Sequence, residues 1–257
     1  KGKGYLPAER EPVRFHGTGP FDIATGKPKP KDKADSKTYT EVFREKIADL
    51  AKSNKKIVAI TAAMPEGTGL DKFRDLYPER FFDVGIAESH AVCFAGGLAR
   101  GGFKPVVAIY STFLQRAYDH IIQDAALQGL NVVFAIDRAG IIGEDGVTHQ
   151  GIFDIAFLRN IPNLVIMAPK DGPELEAMLE FSINLDKPVA IRYPKSVIPS
   201  VRSQPSPLEL NKAEILKEGK DFAIIAIGSM VNTSFEAMKL LENNGLFGKL
   251  INARFIK

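Results

Sequence analysis

The sequence predicts an α/β protein: a parallel sheet covered by helices on both faces, followed by the start of a second α/β domain. Three observations point there. Short, almost wholly apolar runs rich in Val, Ile and Ala recur along the chain, as strands buried on both faces require. They alternate with longer stretches that carry the apolar spacing of a helix. A chain of 257 residues with 45% hydrophobic content is also long enough to bury a substantial core.

The elements follow in order. Residues 1–37 are rich in Gly, Pro and Lys. They read as an extended entry segment and then a flexible linker, densest in charge at Lys27-Pro28-Lys29-Pro30-Lys31-Asp32-Lys33. Thr38 with Glu41 forms a capping box that opens an amphipathic helix through Val42, Phe43, Ile47 and Leu50. Strands are expected at Ile57–Thr61, Val106–Tyr110, Val132–Asp137, Leu164–Ala168 and Val189–Arg192, with helices at 88–100, 114–128 and 172–184. These elements place one domain at 38–196. Residues 197–209 carry three prolines and three serines and read as a linker. Within 210–257, Phe222–Ile227 and a helix over 231–243 begin a second α/β unit, too short for a complete domain of typical size.

Composition narrows the function classes. A net charge of +3 with 25% charged residues is ordinary and does not mark a nucleic-acid binder or a polybasic membrane binder. Cys93 is the single cysteine, so no internal disulfide is possible, and its apolar, helix-like surroundings read as those of a buried, inert thiol. No apolar run approaches the ~20 residues of a membrane span, and no signal peptide opens the chain, so a cytoplasmic location is expected. The ends, Lys1-Gly2-Lys3-Gly4-Tyr5 and Arg254-Phe255-Ile256-Lys257, read as the middle of a longer protein.

In parallel sheets ligands sit beyond the carboxyl ends of the strands. That singles out Met64, Glu88, Tyr110–Phe113, Arg138 and Lys195. Glu88 opens a helix in Asp83-Val84-Gly85-Ile86-Ala87-Glu88-Ser89-His90. It is either a carboxylate stabilised by the helix macrodipole or an acid whose apolar pocket lets it share a proton. The glycine-bracketed loop Gly143–Gly151 carries Asp145 and His149 and reads as a surface turn or as part of a site. Arg116 and Arg138 are either surface arginines paired with Asp119 or Asp137, or converge on an anion whose oxygens match the guanidinium fork. The histidines are too scattered to suggest a metal site.

Taken together, the strings DVGIAESHAV, YSTFLQRAYDH, AIDRAGIIGEDGVTHQG and RYP, with the opening KGKGY-PAE-FHG-FD, resemble the 1-deoxy-D-xylulose-5-phosphate synthase family over essentially the whole chain. The resemblance implies a thiamine-diphosphate pyrimidine-binding domain in a transferase that joins pyruvate and D-glyceraldehyde 3-phosphate with loss of carbon dioxide. It implies that Glu88 hydrogen-bonds the cofactor's aminopyrimidine, that Met64, Ile86 and Phe113 line it, and that Tyr110, Arg116, Arg138 and Lys195 hold the phosphorylated acceptor. It places Asp145, His149 and His16 beside the reacting carbons. Where the family has RYPRG this chain has Arg192-Tyr193-Pro194-Lys195-Ser196, which keeps the charge but loses the bidentate fork. The resemblance also implies that the family's magnesium-binding diphosphate domain precedes this region, and that the enzyme is a homodimer in the cytoplasm or, in a plant or alga, the plastid stroma. A transketolase, a pyruvate-dehydrogenase-type beta chain and a non-catalytic domain of the same fold are the alternatives.

Overall fold

The computed structural model describes residues 2–12, 14–15, 18–29, 37–143, 145–199 and 206–257. Two compact units are distinguished, Lys1–Ser36 and Lys37–Lys257.

The first unit corrects the extended entry segment. Leu6–Arg10 forms a short helix, α1, with Pro7 in its first turn, where the fixed φ of proline is preset for a helix. Tyr5, Phe15 and Phe21 pack edge-on and tilted against one another, with Phe15 and Phe21 at 5.1 Å between centroids. Aromatic packing gives this stretch a small core of its own. Residues 30–36 of the expected flexible linker lie outside the described residues.

In the second unit, Thr38 accepts a hydrogen bond from the Glu41 amide and the Glu41 side chain accepts from the Thr38 amide, closing the expected capping box on helix α2, Tyr39–Ser53. Strand β1 (Ile57–Thr61) follows, then α3 (Asp71–Leu76), β2 (Phe81–Asp83), α4 (Glu88–Arg100) and β3 (Lys104–Tyr110). Next come β4 (Val133–Asp137), α7 (Asp154–Arg159), β5 (Val165–Met167), α8 (Gly172–Asn184) and β6 (Val189–Arg192), with α5 (Ser111–Leu114) and α6 (Tyr118–His120) between β3 and β4. The six strands form one sheet in the order β2-β1-β3-β4-β6-β5, every pair parallel. Alternate residues of each strand feed two layers. Ile57, Ala59, Val106, Ala108, Val133 and Ala135 pack with Val42, Phe43 and Ile47 of α2 and Leu175 and Leu179 of α8. Ile60, Val107, Ile109, Phe134 and Ile136 pack with Ala91, Val92 and Ala95 of α4. Strands buried on both faces need apolar residues at every position, which is why they read as continuous runs.

Two expectations are corrected in this body. The single helix over 114–128 is instead a broken run: α5, a 3₁₀ turn over Gln115–Ala117, α6 and a π turn over Ile121–Ala126. The π turn is seated against Gly96 of α4, where a Cβ would collide with the Asp124 carbonyl. The run therefore follows the contour of α4 rather than one straight axis. Cys93 is exposed, not buried, because the buried face of α4 is set by Glu88, Ala91, Val92, Ala95 and Gly96 and Cys93 falls outside it. Partial desolvation and the adjacent Asp124 carboxylate push its thiol up.

The C-terminal stretch forms a second, three-stranded sheet from β7 (Glu214–Lys217), β8 (Phe222–Ala226) and β9 (Gly248–Asn252), in the order β7-β9-β8. Helix α9, Met230–Glu242, crosses from β8 to the parallel β9 and buries Val231 and Met238 against Ala226 and Leu250. Beyond β9 the chain returns to the large sheet, where Phe255 bridges Met167. Among the described residues no helix is long and apolar enough to cross a membrane.

Candidate active site

The carboxyl ends of the parallel strands deliver the candidate residues to one edge of the sheet. The chain steps outward from β1 to β2 and then returns across β1 to β3. Such a reversal leaves a crevice beyond the strand ends. The loop after β1 brings Met64 and Gly67, the turn after β2 brings Ile86 and Glu88, and the end of β3 brings Tyr110 and Phe113. Asp83, at the end of β2, accepts from the Ala63 amide at 2.8 Å and the Gly85 amide at 3.0 Å, and so ties the first two loops together. Gly85 has φ +70°, a conformation that favours glycine, immediately before Ile86.

Glu88 is the first residue of α4 and only 4% exposed. Arg116 Nη1 donates to its Oε2 at 3.3 Å, and the Ser89 hydroxyl donates to the Arg116 carbonyl at 2.8 Å, fastening the 3₁₀ turn to the head of α4. Glu88 thus has both a helix terminus and a cation beside its carboxylate. Arg116 itself is 59% exposed. Ile86 is 77% exposed two residues before Glu88.

A second connected set forms around Tyr110. Its ring stacks on Phe113 at 5.7 Å and 14°, and Phe113 meets the His149 ring edge-on at 5.3 Å. The Arg138 guanidinium lies 3.8 Å from the centre of the Tyr110 ring. A Cβ at Gly67 would collide with the Tyr110 hydroxyl and meet the Met64 methyl at 3.4 Å, so Met64, Gly67 and Tyr110 share one corner. Arg138 Nε stands 3.5 Å from Asp145, and Lys195 Nζ donates to the same carboxylate at 2.7 Å. Burial pushes the Asp145 carboxyl up, but the Lys195 hydrogen bond and the charges of Lys195, Arg138 and His149 outweigh it and hold the group below the ordinary carboxylate range. Burial, reinforced by Asp137 and Asp145 against Arg138, pushes the Tyr110 phenol well up, so the phenol keeps its proton.

The glycine-bracketed loop has internal reasons for its polarity. Gly140 and Gly151 pair through backbone hydrogen bonds at 2.7 and 2.8 Å. The Gln150 amide spans the loop, accepting from the Ile142 amide and donating to the Ile142 and Gly146 carbonyls. Thr112 donates to the Thr148 carbonyl at 3.1 Å and thereby sets His149 beside Phe113. The structure thus gathers Met64, Tyr110, Phe113, Arg138, Asp145, His149 and Lys195 in one chain of contacts. The two arginines grouped by sequence part company: Arg116 is bound to Glu88, and Arg138 to Tyr110, Asp137 and Asp145. His16 lies outside the described residues. Sequence reasoning missed Gly67, Asp83 and Gln150. Asp83 and Gln150 lie inside the quoted motifs, whereas Gly67 stands in an unremarkable Pro65-Glu66-Gly67-Thr68-Gly69 turn.

A buried carboxylate at the head of a helix suits a ligand with a basic nitrogen. Arg138, Lys195 and the protonated phenol of Tyr110 suit an anion. Among the described residues no group of three or more His, Cys, Asp or Glu side chains is placed to hold a metal ion.

Comparison with known proteins gives the family of the large domain. A family model described as transketolase, pyrimidine binding domain, matches residues 35–200, and one described as transketolase, C-terminal domain, matches residues 211–257. The chain is 54% identical to the 1-deoxy-D-xylulose-5-phosphate synthase of Natranaerobius thermophilus and 56% identical to that of Halothermothrix orenii, over 100% of its own length. It spans 41% and 40% of the length of these two curated relatives. Among solved structures it is similar to a split-gene transketolase described as an inactive β4 tetramer, with a TM-score of 0.77 and 32% identity, over 85% of this chain and 72% of that one. It also shares the fold of the Campylobacter jejuni transketolase, with a TM-score of 0.78 at 24% identity, over 88% of this chain and 37% of that one.

Proposed function

We propose, because the chain belongs to the family of transketolase pyrimidine-binding domains, that it forms the pyrimidine side of the active site of a 1-deoxy-D-xylulose-5-phosphate synthase. Whole-chain identity of 54–56% to relatives bearing that name carries the reading. The reaction condenses pyruvate with D-glyceraldehyde 3-phosphate and releases carbon dioxide.

The residues present fit the pyrimidine end of thiamine diphosphate. Glu88 sets an ionisable carboxyl group in a buried position, and would hydrogen-bond the ring nitrogen. Met64, Ile86 and Phe113 supply the apolar surface on which a flat ring rests. When bound, the cofactor supplies the electron sink that decarboxylation needs. Everything else is the work of side chains. Arg138, Lys195 and the Tyr110 phenol bind the acceptor's phosphate by charge and hydrogen bonds. Asp145 and His149 hold hydroxyl groups or move protons beside the reacting carbons, and His16 is assigned there by resemblance alone. Arg116 steadies Glu88 and, from its exposed position, reaches the acceptor. Magnesium and the diphosphate belong, by resemblance, to the domain that precedes this region in the family, and the assembly is a homodimer.

The test has two arms. The full-length polypeptide should form 1-deoxy-D-xylulose 5-phosphate from pyruvate and D-glyceraldehyde 3-phosphate. A preference for xylulose 5-phosphate with ribose 5-phosphate would move it to the transketolases. Residues 1–257 alone should be inactive, in keeping with the inactive tetramer of the split-gene relative. They should also bind thiamine diphosphate only weakly, because an apolar slot and one hydrogen bond contribute about 1 kcal/mol each before the entropy of immobilisation. A micromolar or tighter dissociation constant by calorimetry overturns that second arm.

A further inference from the structure

Arg138 has φ +56°, in the left-handed region that a non-glycine side chain enters at a cost of roughly 1–2 kcal/mol. Something must hold it there. Asp137 Oδ1 accepts from the Arg138 backbone amide at 2.6 Å and lies 3.1 Å from Arg138 Nη1, so one carboxylate grips both the main chain and the side chain of the same residue. Asp137 is fully buried at the end of β4. Burial pushes its carboxyl up, against the opposing pull of Arg138 and of a hydrogen bond from Thr40. That bond comes from the first turn of α2: Thr40 Oγ1 donates to Asp137 Oδ2 at 2.7 Å across 97 residues of sequence.

On the far side, Arg138 Nη1 donates to the Gly67 carbonyl at 2.6 Å, and the Tyr110 hydroxyl rests where a Gly67 side chain would be. The guanidinium is thus clamped between Asp137, Gly67 and the Tyr110 ring. Its Nε is buried without a hydrogen-bond partner in the structure, the Asp145 contact at 3.5 Å being an ion pair only. A guanidinium fixed on several sides has its charge and its remaining N–H groups aimed in one direction, which suits it to orienting an anion.

We propose that Asp137, braced by the Thr40 hydroxyl on one side of the guanidinium, and Gly67, on the other, are positioning residues that aim Arg138 and Tyr110 at the phosphate of the acceptor. The inference rests on the function proposed above, since it takes the phosphate as the anion. Neither Thr40 nor Gly67 touches the ligand; each acts through its neighbour.

The experiment measures steady-state kinetics in the full-length polypeptide, varying each substrate in turn. Thr40→Val keeps the shape and removes the donor. It should raise KM for D-glyceraldehyde 3-phosphate about five- to tenfold and leave KM for pyruvate unchanged, and Thr40→Ser, which retains the hydroxyl, should restore it. Gly67→Ala, which displaces the Tyr110 hydroxyl without touching Asp137, should give the same split. If Thr40→Val and Gly67→Ala lower only the melting temperature, or raise both KM values alike, the residues are structural and the inference is overturned. Arg138→Ala separates the two levels. No change in acceptor KM there sinks the functional reading itself, whereas a change there with none in Thr40→Val or Gly67→Ala sinks the positioning role alone.

Discussion

Among the described residues, the buried charges at the junction with the C-terminal stretch and those at the strand ends are satisfied to different degrees. At the junction between the large sheet and the C-terminal stretch, Glu174 of α8 accepts from the Lys170 amide at 2.7 Å, from Asn252 at 2.9 Å and from Arg254 Nε at 2.9 Å. Lys170 Nζ lies 3.5 Å from the same carboxylate and 3.4 Å from Glu214, and Arg254 Nη2 reaches Glu214 at 3.0 Å and the Ser206 hydroxyl at 2.9 Å. Arg254, Lys170 and Glu174 are each at most 2% exposed. At the strand ends, by contrast, Arg138 keeps a buried Nε without a hydrogen bond, the Ser111 hydroxyl is buried without one, and the Lys195 side chain is 32% exposed. Burial and charge are common to both. The strand-end set differs in that Lys195 opens to solvent, whereas the charged groups of the junction are closed off and spent on one another.

The contrast can be broken at either end. The largest effect is expected at Glu88. Glu88→Gln in the full-length polypeptide should lower turnover by ~10²–10⁴-fold, the range for lost acid–base help, with an unchanged circular-dichroism spectrum. Near-normal turnover would remove Glu88 from the chemistry. At the junction the loss should be of stability instead. Arg254→Met strips Glu174 of one of its buried partners and should cost about 3–5 kcal/mol, read by denaturant titration, with both KM values intact; altered kinetics without destabilisation would reverse the assignment.

Arg138→Ala should cost roughly 1.5–3 kcal/mol in transition-state binding of the acceptor, with pyruvate little affected. The smallest effect separates the clusters by pH. Burial pushes the Glu214 carboxyl up, but hydrogen bonds from Ser206 and the charges of Lys170 and Arg254 bring it below the ordinary value of 4.5. A depressed folded-state pKa contributes stability above the unfolded value, lost as pH falls through the folded one. Glu214→Gln should therefore flatten the loss of stability below about pH 4.5 by less than about 1 kcal/mol. Acid titrations that superimpose for the two proteins would show that Glu214 takes no part in it.

Much of the large sheet was legible because its physics is local. Ile57–Thr61 and Val189–Arg192 announce themselves as unbroken apolar runs, and their observed bounds match. The helices 88–100 and 172–184 carry apolar spacing over three turns and also match. Six-residue helices such as α3 and α7 escaped, since less than two turns gives no period to read. The capping box at Thr38 was visible as a four-residue pattern. The role of the hydroxyl two residues later was not, because its partner Asp137 lies 97 positions away.

The site divides along the same line. Motif strings pointed to Glu88, Tyr110, Arg138, Asp145, His149 and Lys195, since the types and spacing of those residues are written in the chain. Which carboxylate each cation takes was not written there. Arg116 goes to Glu88 while Arg138 and Lys195 share Asp145, and only the docking of α4, the 3₁₀ turn and the glycine-bracketed loop against one another selects among partners of equal charge. The sequence by itself determined most strands of the large sheet, the longer helices and the chemistry available at their ends, through periodicity and capping that act within a few residues. The tertiary structure decided which of those groups meet and which are buried. Hydrogen bonds at about 3 Å and desolvation depend on atoms brought together from distant parts of the chain.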